Sequence, residues 1–115
     1  MTLSLDEMKA NRRKWVEALR GGKYAQCTDK LYNGEGGYCC LGVLASVAGE
    51  TAKDIKNDTD LGALPNVMEF VGLRDSEGAY EDGCLVVHND KLRKTFAEIA
   101  DIIESEPAGL FTDPA

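Results

Sequence analysis

Four cysteines and one histidine carry the most reactive side chains in this sequence. Cys27, Cys39, Cys40, Cys84 and His88 supply enough thiolate and imidazole ligands for a tetrahedral zinc site. Their spacing argues against one. No pair has the C-x-x-C interval, and adjacent Cys39 and Cys40 point in different directions in either a strand or a helix. The expectation is no metal and no other cofactor.

A thiol nucleophile is the second chemistry to weigh. Cys39 or Cys40 falls near the expected start of a helix, where the macrodipole stabilises a thiolate. His88 and Asp90 follow in chain order and would complete a Cys–His–Asp arrangement. Against this, Tyr38 and Leu41 flank the sulfurs as core residues would, and a thiol buried in apolar surroundings is inert. Reduced cysteine often acts as a small hydrophobe, which is the reading adopted here. The rival is a cysteine-dependent hydrolase using Cys39 or Cys40 with His88.

Anion binding is the third. The stretch NGEGG holds Gly34, Gly36 and Gly37 but lacks the P-loop lysine followed by Ser or Thr. A hairpin turn at Asn33-Gly34 explains it more simply. Glycine amides beside Arg20, Lys23 and Lys30 would nevertheless suit a phosphate, and the faces of Tyr24 and Tyr32 would suit a base. Trp15 reads instead as the core anchor of the first helix. The candidate ligand-binding residues are therefore Arg20, Lys23, Tyr24, Tyr32, Gly36, Gly37 and Asn89. Asn89-Asp90 also reads as a turn.

The elements that must position these side chains are legible as a small α+β fold with about four helices and a small antiparallel sheet or hairpins. Helices are expected near residues 4–20, 40–48, 65–71 and 95–105, and strands near 29–32, 37–40 and 84–88. Ser4 with Glu7, and Thr95 with Glu98, have capping-box spacing. Leu5, Met8, Trp15, Val16 and Leu19 form one helical stripe, interrupted by Arg12 and Arg13, whose aliphatic stems can pack beside it. Gly21-Gly22 ends that helix. Cys39 to Ala48 reads as a buried helix, with a strand competing for its first half. Pro65 suits the first turn of a short helix that Gly72 closes. Residues 50–63 read as loop, and Asp75 to Gly83 as a turn or short hairpin.

A chain of 115 residues has the size of one domain. Thirteen basic against twenty acidic residues give a net charge of -7, which opposes general nucleic-acid binding. Lys9, Arg12, Arg13, Lys14, Arg20 and Lys23 make the first quarter basic, and the acids fall mostly after Glu50. That asymmetry would give the fold a positive face able to steer an anion. No apolar run approaches the roughly 20 residues that span a bilayer, and the N-terminus lacks the apolar stretch of a secretory signal. Reduced thiols in a cytoplasm follow from this.

The blocks KWVEALRGGKYAQ, GYCCLGVL, LPNVMEFVGL, VVHND and TFAEIADIIE occur in that order from residue 14 to 104. The order resembles a family of small, mostly uncharacterised proteins encoded by bacteriophages and prophages. Its members read roughly W-x-x-ALRSG-x-Y-x-Q, GYCCLGVL, LND and SF-x-EIAD-x-IE. The chain departs from that pattern at Cys27 and His88. The resemblance implies a phage origin and expression in the cytoplasm of a bacterial host, and it assigns no catalytic residue. The expected function is that of a phage accessory protein, more a binder than an enzyme. It would counter host defence by sequestering a signalling nucleotide or by blocking a host protein. Such a pocket often sits at a homo-oligomer interface. A minor virion component is a further alternative.

Overall fold

The computed structural model of the chain describes residues 3–56 and 58–112. Asn57, inside the stretch 50–63 expected as loop, lies outside the described residues. Helix α1 spans Leu5–Arg20 and opens with the expected capping box between Ser4 and Glu7. Its buried face carries Met8, Asn11, Arg12, Trp15, Val16 and Leu19, three or four residues apart. Arg12 thus lies within the stripe rather than beside it. Gly21 remains right-handed, and Gly22, with φ 76°, supplies the left-handed turn.

Helix α2 spans Cys40–Val47, as expected, and Cys40 to Ala45 are all buried, so it runs through the middle of the molecule. It is apolar on every side because every side meets protein. Gly42 explains part of the GYCCLGVL block. The backbone of Leu31 crosses α2 so closely that a methyl group at Gly42 would lie 1.9 Å from the Leu31 carbonyl oxygen. The Leu31 carbonyl also accepts from the Cys39 amide at 3.2 Å. Trp15, fully buried, donates its indole N–H to the Cys40 carbonyl at 3.0 Å, fixing α1 to the start of α2.

A short helix, α3, at Ala52–Ile55 with Thr51 as its cap, occupies part of the expected loop. Helix α4 spans Pro65–Val71 and closes at Gly72, which is left-handed at φ 73°. Helix α5 spans Leu85–Asp90, and α6 spans Phe96–Glu104 with the expected Thr95–Glu98 capping box. Helix α1 packs against α6, α2 and α4 and so forms the spine of the fold. Among the described residues there are six helices, and no helix is long and apolar enough to cross a membrane.

The strands are minor. β1 at Ala25–Gln26 pairs with β2 at Gly37–Tyr38, and β3 at Ala79–Tyr80 pairs with β4 at Gly83–Cys84. The second pair is the short antiparallel hairpin expected within 75–83. The first pair is parallel, which corrects the antiparallel strands expected at 29–32 and 37–40. Asn33-Gly34 does reverse the chain, but the turn closes only one antiparallel bridge, Tyr32 to Tyr38. Of the strand expected at 84–88 only Cys84, in β4, is extended; residues 85–88 are corrected to the start of α5. Leu85 and Asn89 are buried four residues apart while Val87 faces out, a helical and not an alternating pattern.

Candidate functional site

The sulfurs serve the interior. Cys39 caps α2, its Sγ accepting from the Gly42 amide at 3.4 Å, and burial pushes its thiol up to about 12. Cys40, fully buried, donates to the Leu85 carbonyl at 3.8 Å, and burial raises its thiol well above the usual range. Half-buried Cys27 donates to the Lys30 carbonyl at 3.4 Å, its thiol raised by burial and then by Asp90. Cys84, also half-buried, donates to the Glu77 carbonyl at 3.4 Å. None is in a disulfide, and among the described residues no cluster of His, Cys, Asp and Glu has the grouping of a metal site.

His88 is engaged elsewhere. Its Nε2 lies 2.6 Å from the Tyr80 hydroxyl, and the two rings stack with centroids 6.0 Å apart. Its Nδ1 is buried with no hydrogen-bond partner. Burial, and then the charge of Lys94, lowers the imidazole below its ordinary range. Among the described residues no hydrogen bond joins His88 to Cys39 or Cys40. The arrangement holds two protonated thiols and a neutral imidazole bonded to a phenol, so a ready thiolate–imidazolium pair is not formed here.

Of the seven candidate ligand residues, Tyr24, Tyr32, Gly36, Gly37 and Asn89 fall in one region around β1 and β2. Tyr38 is its centre, with Tyr24 edge-on at 5.0 Å and Tyr32 tilted at 4.8 Å. The loop amides turn inward. Gly36 N–H donates to the Tyr32 hydroxyl at 3.2 Å, and Glu35 and Gly37 N–H both donate to Asn33 Oδ1 at 2.7 and 3.0 Å. Those donors are taken and do not form a phosphate nest. Lys23 lies over the Tyr24 ring at 5.7 Å.

Asn89 is 1% exposed and uses its whole amide within the protein. Its Oδ1 accepts from Gln26 Nε2 at 2.9 Å and from the Cys40 amide at 3.3 Å. Its Nδ2 donates to the Cys27 carbonyl at 2.9 Å and to Asp90 Oδ1 at 2.7 Å. One buried amide therefore ties α5 to the start of α2 and to the end of β1.

Arg20 belongs to a different place. It forks onto Asp101 and Glu104 of α6, at the edge of a groove of about 250 Å³ between α1 and α6. Val16 and Ile103 give the groove apolar walls, and Lys9, Arg12, Arg13, Glu17, Glu104 and Glu106 complete it. Arg12 is held from three sides: Nε donates to the Val71 carbonyl at 2.7 Å, Nη1 pairs with Glu106, and the guanidinium lies 3.9 Å from the Phe111 ring centre. Glu104 and Glu106 are thus bonded to arginines, while exposed Lys9 and Arg13 make no ion pair among the described residues. Sequence reasoning marked these cations only as a basic quarter. The sharper signal is their spacing, since Lys9 and Arg13 lie four residues apart on one helix face, with the carboxylate of Glu17 one turn further on.

No curated protein and no solved structure matches the chain. One family model does, the one described as "Domain of unknown function (DUF8296)", over residues 7–107. That match covers α1 through the end of α6, the whole framework described above, and so this chain belongs to the DUF8296 family.

Proposed function

We propose that the chain is a phage-encoded accessory protein that works by binding inside the infected bacterial cell, and that the α1–α6 groove takes a small anion such as a signalling nucleotide. The single observation that carries the ligand reading is the groove. Lys9 and Arg13 line it with charge that forms no ion pair among the described residues, beside apolar Val16 and Ile103. Apolar walls with a few placed charges are the usual composition of a small-molecule site. At about 250 Å³ it suits a mononucleotide or something smaller, since larger ligands occupy several hundred Å³ or more. The phage setting rests on the GYCCLGVL and TFAEIADIIE blocks. A non-catalytic role is favoured by the protonated thiols and the neutral imidazole.

Thermal denaturation with a panel of cyclic nucleotides and ADP-ribose derivatives tests the reading. A ligand at about a hundred times its dissociation constant stabilises by roughly 2.7 kcal/mol. The shift should vanish in Lys9→Glu and Arg13→Glu, whose exposed side chains lie outside the core, and the helical circular dichroism of each variant should match that of the parent. Melting temperatures that stay flat across the panel, or shifts that survive both substitutions, would remove the groove as the site.

A further inference from the structure

The turn that joins α5 to α6 exposes apolar side chains beside cations. Among the described residues, the exposed large hydrophobic side chains are Val87, 37% exposed, and Leu92, 59% exposed. Both belong to this tip, and Lys91, Arg93 and Lys94 surround Leu92 in sequence. An exposed leucine alone needs no explanation. Here it stands among three cations in a chain of net charge -7.

None of the three cations makes an ion pair among the described residues. The carboxylates nearest in sequence, Asp90 and Glu98, take their hydrogen bonds from amides, although the charge of Lys94 still helps to lower Glu98. Asp90 accepts from the Asn89 side chain, and Glu98 accepts from the Thr95 amide as half of the α6 capping box. The tip is also held rigidly. Lys91 and Leu92 N–H both donate to the Val87 carbonyl, at 2.9 and 3.0 Å, and Lys94 N–H donates to the His88 carbonyl at 2.9 Å. Gln26 Nε2 donates to the Lys94 carbonyl at 2.8 Å from across the molecule. Arg93 sits at φ 52°, a left-handed conformation that a non-glycine residue holds only at a cost. With the backbone of the tip already ordered, binding there costs little further backbone entropy.

We propose that residues 87–94 form a binding surface for an acidic segment of another protein, with one apolar side chain of that segment seated against Leu92 and Val87. This surface is separate from the α1–α6 groove and stands or falls independently of it. Three cations that form no ion pair among the described residues give the electrostatic complement to an acidic segment and would speed its capture. A single leucine offers too little apolar area to anchor on a bilayer. A phosphate backbone would leave Val87 and Leu92 uncovered, whereas a protein segment can cover them with an apolar side chain of its own.

The test titrates the 115-residue protein with a fluorescein-labelled peptide of alternating glutamate and leucine, an all-glutamate peptide, a DNA duplex and phosphatidylglycerol vesicles. The glutamate–leucine peptide should bind tightest and should weaken as salt rises. Leu92→Ser and Arg93→Gly should each weaken it by about tenfold. Arg93→Gly removes the cation where positive φ suits glycine, so its melting temperature should equal or exceed that of the parent. Equal affinity in parent and variants, no advantage over the all-glutamate peptide, or tighter binding of duplex or vesicles would overturn the proposal. So would sedimentation showing a dimer that Leu92→Ser dissolves, because the occupant would then be a second copy of the chain.

Discussion

His88 is the chain's single histidine, and its surroundings give it a defined response to acid. Burial and Lys94 lower its pKa, while Tyr80 holds Nε2 and nothing accepts from Nδ1. A histidine whose folded pKa lies below its unfolded value binds fewer protons folded than unfolded, so it favours the fold above the unfolded pKa. That contribution is complete above about pH 6.5 and is lost as pH falls through the lowered folded value. Urea midpoints should therefore decline between pH 7 and pH 5, and His88→Gln, which keeps a group able to bond Tyr80, should flatten that decline. A variant with the parent's full slope would place the acid sensitivity elsewhere. The sequence named His88 and Asn89 as residues of interest but did not reveal their partners. Tyr80 is eight residues from His88, and Gln26 and Cys27 are more than sixty from Asn89. Such hydrogen bonds depend on long-range packing, which no local spacing encodes.

At the scale of elements, the parts that carry their own signals were legible. Both capping boxes, the apolar run of α2 and the proline-to-glycine frame of α4 are local patterns, and each forms where expected. The misread segments owe their shape to distant contacts. Val86 and Val87 favour a strand by their branched side chains, yet α5 is helical because burial of Leu85 and Asn89 selects the helical period. The parallel pairing of β1 with β2 joins segments on either side of the Asn33-Gly34 turn, which signals only reversal. Gly42 makes a prediction at this scale. Gly42→Ala should destabilise the protein by about 3 kcal/mol or more, because the added methyl meets backbone rather than a movable side chain. A chemical denaturation curve close to the parent's would show that Leu31 and α2 can separate more easily than their contact implies.

The candidate site divides along the same line at the scale of the molecule. The sequence placed cations in its first quarter but could not show that α6 would lie across them and turn a basic helix face into a groove. It also placed Arg20 with the tyrosines, whereas α6 draws it away through Asp101 and Glu104. Among the described residues one core runs from Trp15 through α2 to Ile99 and Ile103. Unfolding should accordingly be a single transition in which the fluorescence of the sole tryptophan and the helical circular dichroism change together. Separated midpoints would indicate that part of the chain melts on its own. The packing of α1 on α6 has a consequence for the nascent chain as well. Helix α1 is paired with a helix far along the chain, residues 5–20 with 96–104, so its apolar stripe must wait uncovered until α6 has been made. Fragments ending before residue 96 should then be prey for chaperones and proteases, and the native spine should close only after α6 is made.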